Sequence, residues 1–335
     1  MRIGPVDLDH EVLVVAEIGN NHEGDVGLAE ELVGLAAAAG AQAVKFQTIV
    51  PERLVGPDQT ARLAQLRRFA LSAEDHARLA RVAAKAGVMF LSTPFDVDSV
   101  AMLEPLVPAM KVASSDNNFV ALLQRIAAAN KPVLLSTGMT DLAGARAALD
   151  TVRQAWRERN VDPGIVLLHC VSAYPTPSAE ANLRAIPALA ALGVTAGYSD
   201  HTLGITAAPL AVALGARVIE KHFTIDHDHS EFRDHKLSAN PAELKMLVER
   251  IREADALLGD GTKRIMPSEA ATAVAARRSI VAVRDLPAGH AITGADLTWL
   301  RPSGGLPPGQ EAALIGRKLR RAVGAGHQLL PDLFD

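Results

Sequence analysis

Short apolar runs alternate with longer amphipathic stretches along most of the chain. The runs are Val12–Ile18, Ala43–Gln47, Val88–Ser92, Ala109–Ala113, Pro132–Ser136, Ile165–His169, Val194–Tyr198 and Arg217–Lys221. Each has the length and the aliphatic content of a buried strand. Between them, Leu28–Ala39, Ala73–Ala86, Phe119–Ala129 and Leu142–Glu158 carry apolar residues at helical spacing, as does Gly204–Gly215. A last helix, Ala242–Leu258, follows Asn240-Pro241, a pair that suits a helix start. Strands joined by single helices become parallel neighbours, so eight such units in about 260 residues predict a (β/α)8 barrel. An open doubly wound sheet is the rival. No Gly-x-Gly-x-x-Gly follows the first strand, so the dinucleotide-binding form of that rival loses support.

Two departures from the repeat stand out. Val50–Arg68 is an extra segment between the second strand and its helix, in a place where such barrels keep lids and substrate walls. After Gly259-Asp260-Gly261 the alternation stops. Residues 262–276 read as a linker, and Ser279–Val283 as a short strand. The turns Leu286-Pro287-Ala288-Gly289-His290 and Val323-Gly324-Ala325-Gly326-His327 form a half-repeat. The expected organisation is a barrel over 1–261, a linker over 262–276 and a small, mostly β domain over 277–335.

Composition narrows the function classes. Of 335 residues, 49% are hydrophobic and 21% charged, the balance of a folded globular chain. A net charge of −4 supplies no basic stripe, so no nucleic-acid partner is expected. Met1–His10 lacks a signal-peptide pattern, and no apolar run reaches the roughly 20 residues of a membrane span. With Cys170 as the only cysteine, a disulfide within the chain is impossible, and a cytoplasmic location is expected.

The ends of the predicted strands are polar. They read Glu17, Lys45-Phe46-Gln47, Ser92-Thr93, Lys111 with Ser114-Ser115, Ser136-Thr137, His169 with Ser172-Ala173-Tyr174, Ser199-Asp200-His201 and Lys221-His222. In a parallel barrel these gather at the carboxyl end, where chemistry resides. Lys45 and Lys111 among several hydroxyls predict an anion site; the competing reading pairs each lysine with a barrel carboxylate such as Glu17. His169, alone on an apolar strand, reads as a satisfied core residue. His201 and His222 leave adjacent strands, and two neutral imidazoles there suit a divalent ion such as Mn²⁺, Zn²⁺ or Fe²⁺. Asp226-His227-Asp228-His229-Ser230-Glu231 reads as a solvated loop, and Asp234-His235-Lys236 as the better candidate for touching substrate.

In this order the motifs resemble the sialic acid synthase family over essentially the whole chain. The matching stretches are Ala16 through Asp25, Val44-Lys45-Phe46-Gln47, Leu135 through Met139, Leu168-His169-Cys170 and Tyr174-Pro175-Thr176-Pro177. Gly197 through Thr202 and Glu220 through Thr224 complete the barrel part. Ala276 through Ile280 and Leu300-Arg301-Pro302 resemble the SAF, or antifreeze-like, domain of these enzymes.

The resemblance implies a metal-dependent condensation of phosphoenolpyruvate with N-acetylmannosamine, giving N-acetylneuraminate and phosphate. The alternative acceptor is a 2,4-diacetamido-trideoxyhexose, with a legionaminic- or pseudaminic-type product. By the same resemblance His201 and His222 hold Mn²⁺, with Mg²⁺ or Co²⁺ as substitutes, and Glu17 sits near the reacting carbons. Lys45, Thr93, Lys111, Ser114, Ser136, Ser172 and Ser199 hold phosphoenolpyruvate. Gln47, Tyr174 and Asp234 meet the sugar, and Arg301 reaches it from the second subunit of a domain-swapped homodimer. Two departures fall near substrate. Ser172 stands where sialic acid members carry Asn, and Phe232-Arg233-Asp234 where they carry Gly-Pro-Asp. An aldose-phosphate acceptor is disfavoured by the tail, and a non-catalytic sugar- or ice-binding role by the intact Glu17, Lys45, Lys111, His201 and His222.

Overall fold

The computed structural model describes residues 1–335 and divides them into two compact units, Met1–Gly259 and Asp260–Asp335. The first unit opens with a small antiparallel pair, β1 (Arg2–Ile3) and β2 (Val6–Asp7), which buries Ile3, Val6 and Leu8. Eight parallel strands follow: β3 (Leu13–Gly19), β4 (Ala43–Thr48), β5 (Met89–Pro94), β6 (Met110–Val112), β7 (Val133–Ser136), β8 (Ile165–His169), β9 (Thr195–Asp200) and β10 (Val218–His222). Their order is β5-β4-β3-β10-β9-β8-β7-β6. β3 pairs with β10, and β5 lies beside β6 without a hydrogen-bonded ladder, so the barrel is nearly closed.

The predicted helices are present, with ends shifted by up to three residues. Val26–Ala38 is capped by Asp25. Ser72 and Asp75 cap the next helix, Ala73–Lys85, reciprocally. Pro241–Leu258 carries the same kind of reciprocal cap from Asn240 and Glu243. Five strands, β3, β4, β5, β9 and β10, run further than the apolar pattern predicts. β9 continues through Ser199 and Asp200, and β10 includes His222. Side chains alternate across a strand, so polar residues extend a ladder when each finds a partner on its own face. Asp200 and Lys221, paired in register, meet as a buried ion pair at 3.1 Å. Ser199 and His222 take the opposite face.

The extra segment is not a bare loop. It forms two helices, Pro51–Leu54 and Thr60–Phe69, the second anchored by buried Leu63, Leu66 and Phe69. No helix in the chain is long and apolar enough to cross a membrane.

In the second unit, residues 262–276 include a short helix, Ala270–Ala276, where the sequence reads as linker. β11 (Ser279–Ala282) pairs antiparallel with β12 (Leu297–Leu300). The half-repeat turns meet each other: Leu286 and Val323 exchange backbone hydrogen bonds of 2.8 and 2.9 Å. A separate core of Ile280, Leu286, Ile292, Leu314, Leu319, Leu329 and Phe334 holds this unit together. Buried Asp296 ties its loops by accepting hydrogen bonds from Thr293 and Arg284 and bonding the His290 ring. The structure thus has the expected architecture, a (β/α)8 TIM-type barrel and a small, mostly β domain.

Candidate active site

Register decides which polar residues share the barrel mouth. His222 and Lys45 are the partners of Glu17 on the two sides of β3, and Ser199 is the partner of Glu220 on β9. Residues two apart on a strand face the same way, so Lys45 and Gln47 join Glu17 while Phe46 turns into the core. Together they line a cavity of about 850 Å³. Its walls also take Thr93, Lys111, Ser114, Ser136, Ser172, Tyr174, His201 and Asp234. The barrel therefore brings together every predicted site residue of the first unit. Arg301 belongs to the second unit, where it is exposed just after β12.

The floor of the cavity is a buried charge cluster. Lys45 Nζ lies 2.7 Å from Glu17 Oε2 and 3.5 Å from Glu220 Oε2. The pairing of a lysine with Glu17 is thus realised for Lys45. Lys111 Nζ instead donates to Ser136 Oγ at 2.7 Å and to the Val112 carbonyl at 2.9 Å, with Glu220 4.0 Å away. Burial lowers the Lys111 ammonium, although Glu220 opposes it. Burial also pulls Lys45 down, but Glu17 and Glu220 outweigh it and raise this lysine.

The two carboxylates diverge. Burial pushes Glu17 up to about 7 against the pull of Lys45, with Glu220 adding to the rise. Glu220 is equally buried, but Lys111, Lys45 and the Ser199 hydroxyl, which donates to it at 2.9 Å, outweigh the burial and hold it at about 2. Two carboxyls set apart in this way can play different parts, one proton-carrying near neutral pH and one permanently ionised. The sequence reading gives Glu220 no role. The signal was its position two residues before His222, which puts it on the same face.

A tight cradle closes one side. A Cβ on Gly138 would stand 2.3 Å from Ser172 Oγ and 2.7 Å from Ser114 Oγ, so any larger residue there forces these hydroxyls to move. The Gly138 N–H donates to Ser114 Oγ at 3.2 Å, and buried Ser172 Oγ has no hydrogen-bond partner. Cys170 Sγ, 3.1 Å from Ser114 Oγ, is a buried thiol that burial pushes up and keeps protonated.

The imidazoles form a pair of their own. His201 and His222 have ring centroids 5.6 Å apart, and Tyr174 packs 4.3 Å from the His201 ring. His201 Nδ1 donates to the Val171 carbonyl at 2.7 Å, which leaves Nε2 as the basic nitrogen. Burial lowers both histidines, His222 well below its ordinary value, so both are neutral. His222 Nδ1 is buried without a partner. No third His, Cys, Asp or Glu joins them in a metal-type cluster. His169 behaves as the core residue expected, stacked on Tyr198 with Nε2 2.9 Å from the Ala181 carbonyl.

Two family models cover nearly all of the chain. The NeuB family matches residues 32–263, and the SAF domain matches residues 277–335. The chain belongs to the NeuB family. The expected resemblance to sialic acid synthases is borne out. A relative of this NeuB protein in Legionella pneumophila, N,N'-diacetyllegionaminic acid synthase, is 40% identical over 332 residues, covering 95% of this chain and 93% of that one. The human N-acetylneuraminate-9-phosphate synthase is 31% identical, covering 97% and 93% of the two chains. Among solved structures, the N-acetylneuraminic acid synthetase of Leptospira borgpetersenii, in complex with citrate, is similar with a TM-score of 0.76. It is 33% identical and covers 81% of this chain and 94% of that one.

Proposed function

We propose that this NeuB protein condenses phosphoenolpyruvate with an N-acetylated amino sugar to form a nonulosonic acid and release phosphate. The observation that carries the reading is the buried pair Lys45 and Lys111, set among hydroxyls beside two neutral imidazoles at one barrel mouth. Two lysines offset a compact anion of high charge, and the Gly138, Ser114 and Ser172 cradle suits its phosphate.

C3 of the enol phosphate attacks the open-chain aldehyde carbon of the sugar, and the carbonyl oxygen takes up a proton. Water adds to the cation left at C2. Collapse of that adduct breaks the C2–O bond and expels phosphate. Glu17, held near 7, is the group able to accept or return a proton in this sequence, while Glu220 stays ionised beside Lys45 and Lys111.

His201 and His222 fit a divalent ion. Both are neutral, His201 is locked in one tautomer by Val171, and His222 keeps a buried nitrogen unpartnered. Mn²⁺ held there would act as a Lewis acid toward the acceptor's carbonyl oxygen.

For the acceptor, the higher identity to the legionaminic enzyme favours a 2,4-diacetamido-trideoxyhexose over N-acetylmannosamine. The Phe232-Arg233-Asp234 run agrees with a sugar other than N-acetylmannosamine, since Arg233 and Asp234 line the same cavity. Arg301 is assigned to the acyl group of a sugar bound by a second copy of the chain. The test is phosphate release from phosphoenolpyruvate with Mn²⁺ against both acceptors, an aldose phosphate and no acceptor. Turnover that needs an acylated amino sugar and stops on chelation supports the reading. Release that ignores the sugar defeats it.

A further inference from the structure

The loop that carries Phe232, Arg233 and Asp234 is tied down by a hydrogen-bond network outside the reacting cluster. His235 is fully buried, with Nε2 3.2 Å from Glu23 Oε1 and Nδ1 2.6 Å from Thr224 Oγ1. The same Glu23 oxygen accepts a hydrogen bond from Ser230 Oγ, and Ser230 Oγ accepts one from the Phe232 N–H at 3.0 Å. The other Glu23 oxygen pairs with Arg68 at 3.2 Å. One carboxylate therefore joins the loop after β3, the loop after β10 and the end of the inserted helix.

Backbone features agree with a fixed junction. Glu23 holds φ +48, in the left-handed region that non-glycine residues seldom adopt. Next to it, a Cβ on Gly24 would lie 2.0 Å from the Arg68 carbonyl oxygen, so the inserted helix abuts this turn directly. Phe69 packs edge-on against Phe232 at 5.0 Å. Arg233 lies over the Tyr174 ring at 5.4 Å and pairs with Asp234 at 3.1 Å. The junction thus ends at Arg233 and Asp234, which line the cavity beside Tyr174.

We propose that Glu23 and His235 are positioning residues for the acceptor sugar, holding the 230–236 loop so that Arg233 and Asp234 meet it in one geometry. The inference rests on the proposed function for the word acceptor, but not for the junction itself. A group acting only through loop position alters the binding of the ligand that the loop touches and spares the other.

The test uses the full-length protein and two variants, with His235→Gln added as a kinetic rescue control. His235→Phe keeps the ring and loses both hydrogen bonds; Glu23→Gln keeps the shape and loses the charge. Steady-state kinetics are measured for phosphoenolpyruvate and for whichever sugar the unmodified protein turns over. Hydrogen exchange is followed across 224–238 in all three proteins. The expected result is an acceptor KM raised about tenfold, with the phosphoenolpyruvate KM within about twofold, and faster exchange confined to 224–238. His235→Gln, with an arm that still reaches Glu23, recovers part of the acceptor KM. Equal losses for both substrates, or unchanged exchange in the loop, overturn the proposal. If the unmodified protein turns over no sugar, the proposed function fails and the exchange result alone decides whether the junction exists.

Discussion

Glu17 Oε2 lies 2.7 Å from Lys45 Nζ across paired strands, with both side chains almost completely buried. An ion pair this close ordinarily holds a carboxyl down, yet burial and the neighbouring Glu220 charge leave Glu17 raised to about 7. The consequence is a proton linked to substrate binding. An anion placed beside Glu17 disfavours its charged form and raises it further, so binding takes up a proton wherever free Glu17 is ionised. At about pH 8, where phosphoenolpyruvate is already fully ionised, calorimetry in buffers of different ionisation enthalpy should report net proton uptake. Glu17→Gln should abolish that uptake. Proton release by the unmodified protein would contradict the assignment.

Lys111 is the lysine without a close carboxylate, and its ammonium donates to Ser136 and the Val112 carbonyl, which leaves one of its three N–H groups for a ligand. Lys111→Met removes the charge but keeps the packing. The KM for phosphoenolpyruvate should rise on the order of 100-fold, the usual scale for truncating a buried charge that meets an opposite one. The sugar KM should change far less. Initial rates over a grid of both substrates check this.

Gly138→Ala tests the cradle by filling it. The added methyl would overlap Ser172 Oγ at 2.3 Å and Ser114 Oγ at 2.7 Å, so both hydroxyls must move. Phosphoenolpyruvate affinity should fall about tenfold or more, because displaced hydroxyls no longer converge on one anion. Equilibrium binding without sugar isolates the effect from turnover.

Asp200 and Lys221 stand beside the two histidines in sequence but face the other way. Lys221 donates to Asp200 at 3.1 Å and to the Thr202 carbonyl, while Asp200 accepts from Thr202 and Tyr198. This pair locks β9 to β10 in the register that sets the imidazoles. Lys221→Met should cost about 3–5 kcal/mol in chemical denaturation, since it strands a buried carboxylate. Adding Asp200→Leu should restore part of the loss. A single variant as stable as the parent would show that the pair is not what clamps these strands.

The barrel was legible because a parallel core strand is apolar on both faces and short, so eight of them punctuate the chain clearly. Most of the candidate site was legible for the complementary reason, since Lys45, Lys111, Ser136, His201 and His222 break those runs at their carboxyl ends. Strand ends were harder. Ser199, Asp200 and His222 look like loop residues by hydropathy, and only the Asp200–Lys221 pairing explains why the ladder continues through them. The missing role of Glu220 follows from the same fact, because parity along β10 assigns its face once the strand is known to reach His222. The Glu23–His235 junction was out of reach altogether: its members are 212 residues apart, and no local pattern couples them. The helices within Val50–Arg68 were also hidden, because Thr60–Phe69 is mostly polar and owes its apolar anchor to Leu63, Leu66 and Phe69 alone.

The most direct test of the central claim uses phosphoenolpyruvate carrying heavy oxygen in the bridge between C2 and phosphorus. With the acceptor sugar and Mn²⁺, the phosphate released should carry the label, and the new acid should weigh as the sugar plus a pyruvate unit. Unlabelled phosphate, or labelled phosphate released equally well without sugar, would contradict the condensation assigned to this barrel.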